Sequence, residues 1–383
     1  MTTLSISAPK IFDGHTWHEG RAVLVEDGRV KSILHPDDHP RQAVEIDLGH
    51  GMLVPGFVDL QVNGAGGVLF NEDRSIAGLA RLCAANFQFG TTALLPTLVT
   101  DTPDVTRQAL DAGAAAHAEK VPGFIGLHIE GPHLSVARKG AHNPEYVRPM
   151  DEADLLALIN ARQAMPALLT TVAVESVGPD QIARLAQAGV TVSVGHSDTG
   201  IAGAVVAFKA GATMVTHLFN AMSQLGNREP GLVGAALANG VWAGLIADGI
   251  HVDPAAIAIA LRAKTGPGKI FLVTDAMSPM GTDMKGFTLN GRDIVRAEGA
   301  LRLPDGTLAG ADLTMIDAVA YMHKTIGLGL DEVLRMASLY PAQAIGLADT
   351  IGHLGSGTAA SMVHLSDDLA VEGVWVEGDK VFG

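Results

Sequence analysis

The chain has a single cysteine, Cys83, in 383 residues. An internal disulfide framework is therefore excluded. Basic residues are also scarce: 26 stand against 41 acidic ones, a formal charge of -15. That balance disfavours nucleic acid or an anionic membrane as a bulk partner, so an anionic ligand has to be met by a local cationic cluster. The sequence has no 18-residue apolar span and no charged-then-apolar leader, and a soluble cytoplasmic protein is expected. Internal repeats, low-complexity tracts and flexible linkers are missing as well.

What is present is apolar residue, 48% of the chain, enough to bury a large core. Nothing divides the chain into two equal globules. Eight apolar, β-branched runs recur at about 53–63, 91–99, 123–131, 168–175, 191–197, 211–220, 242–251 and 269–277. Helix-like segments such as 75–89, 102–120 and 151–165 lie between them, the last opening on Asp151 and Glu152, acidic charge suited to a helix N-terminus. Continuous apolar runs fit strands buried on both faces, and their alternation with helices implies parallel strands joined by crossovers. Eight such units close into a (β/α)8 barrel.

The flanks read differently. Residues 1–52 contain short strands broken by Asp13-Gly14 and Asp27-Gly28, a hairpin pattern, and 347–383 has the same character. The expectation is an accessory β-sandwich built from both termini around a barrel spanning 53–346. A third hairpin-like insert, at about 286–308, follows the eighth run.

Four runs end in chemistry: GLHIEGPH (126–133), SVGHSD (193–198), VTHLFNAM (215–222) and LVTDAM (272–277). In a parallel barrel, active-site groups project from the C-terminal ends of the strands. Glu130, His196, His217 and Asp275 therefore point into one mouth. Two imidazoles and a carboxylate form the three-ligand set of a catalytic metal with an open position, zinc first among the candidates. Such an ion brings the pKa of its water from about 15.7 towards 7. Asp275 is placed to take that proton and return it to a leaving group; the alternative, a loop-capping aspartate, carries less weight. A lone histidine in an apolar strand is usually a hydrogen-bonded core residue, and His128 is read that way. His133, His323, His353 and His364 have no context that supports a site.

The segments PGFVDLQVNG (55–64), HIEGPH (128–133), KGAHNP (139–144), VGHSD (194–198), THLFNAM (216–222), REPGLVG (228–234), ADGIHVD (247–253), VTDAM (273–277) and LTMIDAV (313–319) resemble the N-acetylglucosamine-6-phosphate deacetylases of the amidohydrolase superfamily. The resemblance runs from about residue 50 to 345. It implies metal ligands at Glu130, His196 and His217, a general base and acid at Asp275, and a carbonyl-polarising histidine at His142. It also implies phosphate contacts at Asn220, Ala221, His251 and Arg228, and a sugar pocket lined by Ala141, Leu308, Ala309, Gly310 and Ala311. In this family the arginine reaches in from a neighbouring subunit, so a homodimer is implied. The chemistry of the residues agrees at that end, because a planar guanidinium binds phosphate bidentately.

One departure stands out. Many amidohydrolases carry a His-x-His pair at the end of the first strand that binds a second metal; here the aligned residues are Gln61 and Asn63. Neutral amides are poor ligands for a transition metal, so one metal ion per chain is expected. The implied reaction removes acetate from N-acetylglucosamine 6-phosphate. Two rivals remain at this point: an amidohydrolase of other specificity, such as an N-acetylgalactosamine-6-phosphate deacetylase, and a non-catalytic binding protein that has kept the barrel.

Overall fold

The computed structural model describes residues 3–383. Eight parallel strands form one sheet in chain order: β1 (Phe57–Val62), β2 (Thr91–Val99), β3 (Gly126–Glu130), β4 (Ala167–Val172), β5 (Thr191–Val194), β6 (Met214–Val215), β7 (Trp242–Leu245) and β8 (Ile270–Leu272). Each is followed by at least one helix. The first three, Ile76–Phe87, Pro103–Ala118 and Glu152–Arg162, fall where the periodicity put them. Ser75, Thr102 and Asp151 cap them, each side chain accepting from a backbone N–H in the first turn, which satisfies donors the helix leaves free.

The sheet closes on itself. Beyond β8 the Asp275 N–H donates to the Gln61 carbonyl at 2.9 Å, and the Asn63 N–H donates to the Ala276 carbonyl at 2.8 Å. The wholly buried Asp59 reinforces the seam: it accepts from the Thr274 hydroxyl at 2.6 Å and from the Gln61 N–H at 3.1 Å. Burial pushes its carboxyl up to about 7. The (β/α)8 architecture expected from the alternation is thus the architecture found.

Most of the strands are shorter than the apolar runs. The first run holds two of them, Met52–Pro55 and β1, separated at Gly56, where a Cβ would lie 2.0 Å from the Thr92 hydroxyl. Met52–Pro55 belongs to the terminal sheet and pairs with Met362–Leu365, the register setting Leu53 opposite His364. Thr3–Phe12, Trp17–Glu26, Arg29–Leu34 and Val44–Asp47 extend that sheet on one side, and Val371–Val376 and Asp379–Phe382 on the other. Both termini therefore build the expected accessory layer, its strands hydrogen-bonded into one continuous sheet that curls back on itself, as where the Ala360 N–H donates to the Gly28 carbonyl at 2.8 Å. The ten-residue strand Thr3–Phe12 is the reason: on one edge it is long enough to pair with Val44–Asp47 through residues 4–7 and with Met52–Leu53 through Lys10 and Ile11. One face packs on the barrel through Val54, Val363 and Val374. The other buries Ile6, Val23, Leu53, Met362 and Trp375.

The insert after β8 is a four-stranded antiparallel flap, Gly286–Leu289, Arg292–Ala297, Ala300–Arg302 and Leu308–Ala311. It has its own core of Leu289, Ile294, Leu301 and Ala309, packed with Leu69, Val99 and Met277. Among the described residues no helix is long and apolar enough to cross a membrane.

Candidate active site

Glu130 is the last residue of β3. His196 and His217 each lie two residues past their strands, β5 and β6, and Asp275 three past β8. All three carry positive φ, at 48°, 26° and 52°. Residues other than glycine hold such angles at a cost, and they concentrate where a site overrides local preference. Here the sharp turn ends the strand and swings the side chain inward over the barrel axis.

The result is a tight cluster. His217 Nε2 lies 3.1 Å from both Glu130 Oε1 and His196 Nε2, and His196 Nε2 lies 3.3 Å from Glu130 Oε1. A tetrahedral zinc site with bonds of about 2.1 Å separates its ligand atoms by about 3.4 Å, close to the spacing found. The His196 tautomer agrees. His196 Nδ1 is 2.9 Å from the Arg138 carbonyl; a carbonyl can only accept, so the proton sits on Nδ1 and Nε2 presents a lone pair. All three side chains are at most 5% exposed, and two imidazole nitrogens facing each other at 3.1 Å in a buried site call for a cation or a shared proton. The donor set fits a divalent metal ion.

The electrostatics follow from this crowding. Burial pushes Glu130 up, but hydrogen bonds from His196 and His217 and charge from His196 and His142 more than offset it and hold the carboxyl well below its usual range. His217 is raised: burial lowers it, and the Glu130 contact outweighs burial. Asp275 is pushed up to about 6, by burial first and by the neighbouring Glu130 second. His142 is held well below its ordinary value by burial and by His196.

Gln61 and Asn63, expected from the sequence to be poor metal ligands, are hydrogen-bond donors here. Gln61 Nε2 donates to Glu130 Oε1 at 3.0 Å and to Asp275 Oδ1 at 3.1 Å; Asn63 Nδ2 donates to Asp275 Oδ1 at 2.7 Å. Two amide N–H groups thus occupy one oxygen of Asp275. They favour its ionised form and fix which oxygen faces the cavity.

That cavity, of about 520 Å³, opens over the cluster beneath the flap. Its walls include Asn63, Glu130, His142, His196, His217 and Asp275 together with Ala141, Asn220, Ala221, His251, Leu308 and Gly310. His142 Nδ1 is 2.7 Å from the Thr100 hydroxyl. His251 Nδ1 donates to Asp248 Oδ2 at 2.6 Å, which fixes the ring with Nε2 free. The remaining residues lie elsewhere. Ala309 and Ala311 alternate with Leu308 and Gly310 along the last flap strand and are fully buried in core, so their side chains face away from the cavity. Arg228 is exposed and is not among the residues lining the cavity of its own chain.

Two cations that the sequence did not single out do line it, Arg138 and Arg302. Arg138 is held by Asp198, Nε to Oδ1 2.7 Å; Arg302 stands on the third flap strand. Arg138 ends a three-residue 3-10 turn and Arg302 a three-residue strand, both too short for a pattern to mark them. His128 is a core residue, as expected, 1% exposed with Nε2 2.7 Å from the Thr171 hydroxyl.

The family model for the amidohydrolases matches residues 52–381, and the chain belongs to the amidohydrolase family. Within that family it is similar to an N-acetylgalactosamine-6-phosphate deacetylase from Shewanella sp. (strain ANA-3), 44% identical over 88% of this chain and 84% of that protein. Among solved structures it is similar to the N-acetylglucosamine-6-phosphate deacetylase of Pasteurella multocida, with a TM-score of 0.95, 34% identity and 99% of each chain covered. It is likewise similar to a variant of the Mycobacterium smegmatis enzyme in complex with N-acetyl-D-glucosamine 6-phosphate, with a TM-score of 0.92, 32% identity and 100% of each chain covered.

Proposed function

We propose that this chain is a metal-dependent hydrolase that removes the acetyl group of N-acetylglucosamine 6-phosphate, giving glucosamine 6-phosphate and acetate. The observation that carries the reading is the convergence of Glu130, His196 and His217 within 3.3 Å of one another, beside a buried carboxylate held by two amide donors. The bound ion is zinc, one per chain, with Glu130, His196 and His217 as its ligands. When bound, it supplies Lewis acidity towards water and an amide carbonyl.

The chain's own residues do the rest. Asp275, with Oδ1 held by Gln61 and Asn63, takes a proton from the attacking water and passes it to the departing nitrogen. His142 can donate to the developing oxyanion with its proton on Nε2, the tautomer formed when the Thr100 hydroxyl turns from the Glu130 carbonyl, 3.2 Å away, to Nδ1 at 2.7 Å. At the far end of the cavity His251, its ring held by Asp248, meets the phosphate beside Asn220 and Ala221. Ala141, Leu308 and Gly310 pack against the sugar. The outward position of Arg228 suits a contribution to the site of a second subunit, so a homodimer is part of the reading. A phosphorylated sugar does not cross membranes unaided, and this places the enzyme in the cytoplasm.

A second reading is favoured by one observation. The 44% identity to an N-acetylgalactosamine-6-phosphate deacetylase exceeds the 34% and 32% to the glucosamine enzymes, so the C4 epimer is the rival substrate. Acetate release measured with both 6-phosphates, and with unphosphorylated N-acetylglucosamine, tests the reading. Preference for N-acetylglucosamine 6-phosphate is expected; a higher kcat/KM for the galacto epimer would reverse the assignment, and no release from either would sink it.

A further inference from the structure

A second group of metal-binding side chains lies far from the barrel mouth, on the terminal sheet. His50, His364 and Glu372 each bring one ligand atom within 4.8 Å of the others. Glu372 Oε2 is 2.9 Å from His50 Nε2 and 3.5 Å from His364 Nε2. The two rings stand edge to face, with centroids 5.2 Å apart. We propose that these three residues form a surface site for a first-row divalent transition metal, zinc foremost, that staples the segment before Met52–Pro55 to the C-terminal hairpin.

Three features of the backbone build the cluster. Gly49 and Gly51, both at φ +68°, turn the chain so that His50 sits against the strand Met362–Leu365. A Cβ on Gly51 would lie 2.2 Å from the Leu365 carbonyl oxygen, so the approach needs glycine. On the facing strand the register steps from His364–Gly373 to Leu365–Val371. Glu372 and Gly373 together therefore oppose His364, a β-bulge of the kind that re-aims a side chain. At Gly373 a Cβ would lie 3.0 Å from the Trp375 ring, so that position stays bare, and the Glu372 carboxylate reaches His364 from beside it.

The donor chemistry is that of zinc: two imidazoles and one carboxylate, with the other positions open to water. The 2.9 and 3.5 Å separations bracket the roughly 3.4 Å between ligands of a tetrahedral ion. His364 is the fixed member, with its side chain 7% exposed, while Glu372 at 35% and His50 at 64% leave an entry path. Without metal, His364 Nε2 donates to the His50 carbonyl at 3.0 Å. Coordination needs that nitrogen's lone pair, so the proton moves to Nδ1 as the ion binds. Because the site joins residues 314 apart in sequence and exists only in the folded sheet, binding there stabilises the native state by mass action.

The test uses the untagged protein as purified. Equilibrium dialysis against buffered zinc, with bound metal counted by elemental analysis, should show about one equivalent more than the His50→Ala and Glu372→Gln variants bind. Both variants should release acetate at the wild-type rate, and the unfolding temperature of the wild type alone should rise as this weaker equivalent fills. Equal stoichiometry in wild type and both variants would overturn the proposal, as would loss of the equivalent in only one of them. Ions at the barrel mouth are common to all three proteins and cancel. A failure of the deacetylase reading would appear as missing acetate release and leave this difference intact.

Discussion

In the proposed reaction Asp275 carries the heaviest chemical load of any single residue, and its partners make its behaviour predictable. Asp275→Asn keeps the size and the contacts of the side chain but can neither take nor return a proton. Loss of deacetylation by about 10²- to 10⁴-fold is expected, with the unfolding transition and metal content of the wild type retained; near-wild-type kcat would end the assignment. His196→Ala should lose metal and activity together, because three ligands become two, and elemental analysis beside the rate assay checks both. The pH profile has a definite sign. Asp275 works as the carboxylate, so kcat/KM falls as pH drops through its pKa. Burial and Glu130 put that near 6 in the bare site, and a bound cation draws it lower. Asn63 donates to Oδ1 at 2.7 Å and favours the ionised form, so Asn63→Ala should move the acid limb to higher pH; a limb that stays put or moves down contradicts the role given to Asn63.

At the scale of elements, the last flap strand and the turn after β8 behave as one unit. The Ala311 N–H donates to the Asp275 carbonyl at 2.8 Å. Gly310, at φ +64°, has Met277 Cγ 2.6 Å and the Asp275 carbonyl oxygen 2.9 Å from where a Cβ would stand. Gly310→Ala should therefore cost about 1–2 kcal/mol in the left-handed backbone alone and lower kcat by shifting Asp275, read out by denaturant unfolding and by rate. The elements themselves were largely legible. Apolar runs flanked by helical periodicity locate β1 to β8, and capping residues locate the helices, because both signals are local. Less visible were features made only by closure. Asp59 in PGFVDLQVNG was a polar residue in an apolar strand, yet nothing local says that it seals a seam against Thr274. Gln61 and Asn63 could be read as poor ligands from chemistry alone, but their donation to Asp275 spans more than 200 positions. The split of the first run at Gly56 and the merging of the terminal strands into one sheet depend on strand length and on partners distant in sequence, for the same reason.

At the scale of the whole molecule, the exposed Arg228 and the acidic surface pose a question about assembly. If the arginine completes a neighbouring site, Arg228→Ala and Asp275→Asn proteins, each weak alone, should regain activity when their subunits are mixed, since one site of the heterodimer then has an intact Asp275 and the partner's arginine. Subunit exchange confirmed by mass with no activity regained would leave Arg228 acting within its own chain or not at all. Arg228→Ala should also raise KM for the phosphorylated sugar and change little for the neutral one, because a charge-assisted contact worth about 1.5–3 kcal/mol exists only with phosphate.

The seam between β1 and the turn after β8 has a bearing on how the molecule is made. Glu130, His196 and His217 all precede β8 in the chain, whereas Asp275 lies beyond it and is anchored through its N–H to Gln61. During synthesis from the N-terminus, a nascent chain therefore holds every residue of the metal cluster before it holds the base. Its first strand still waits for its last neighbour. On the proposed mechanism hydrolysis becomes possible only when the two ends of the barrel meet, so the same hydrogen bonds that finish the fold would also arm the site.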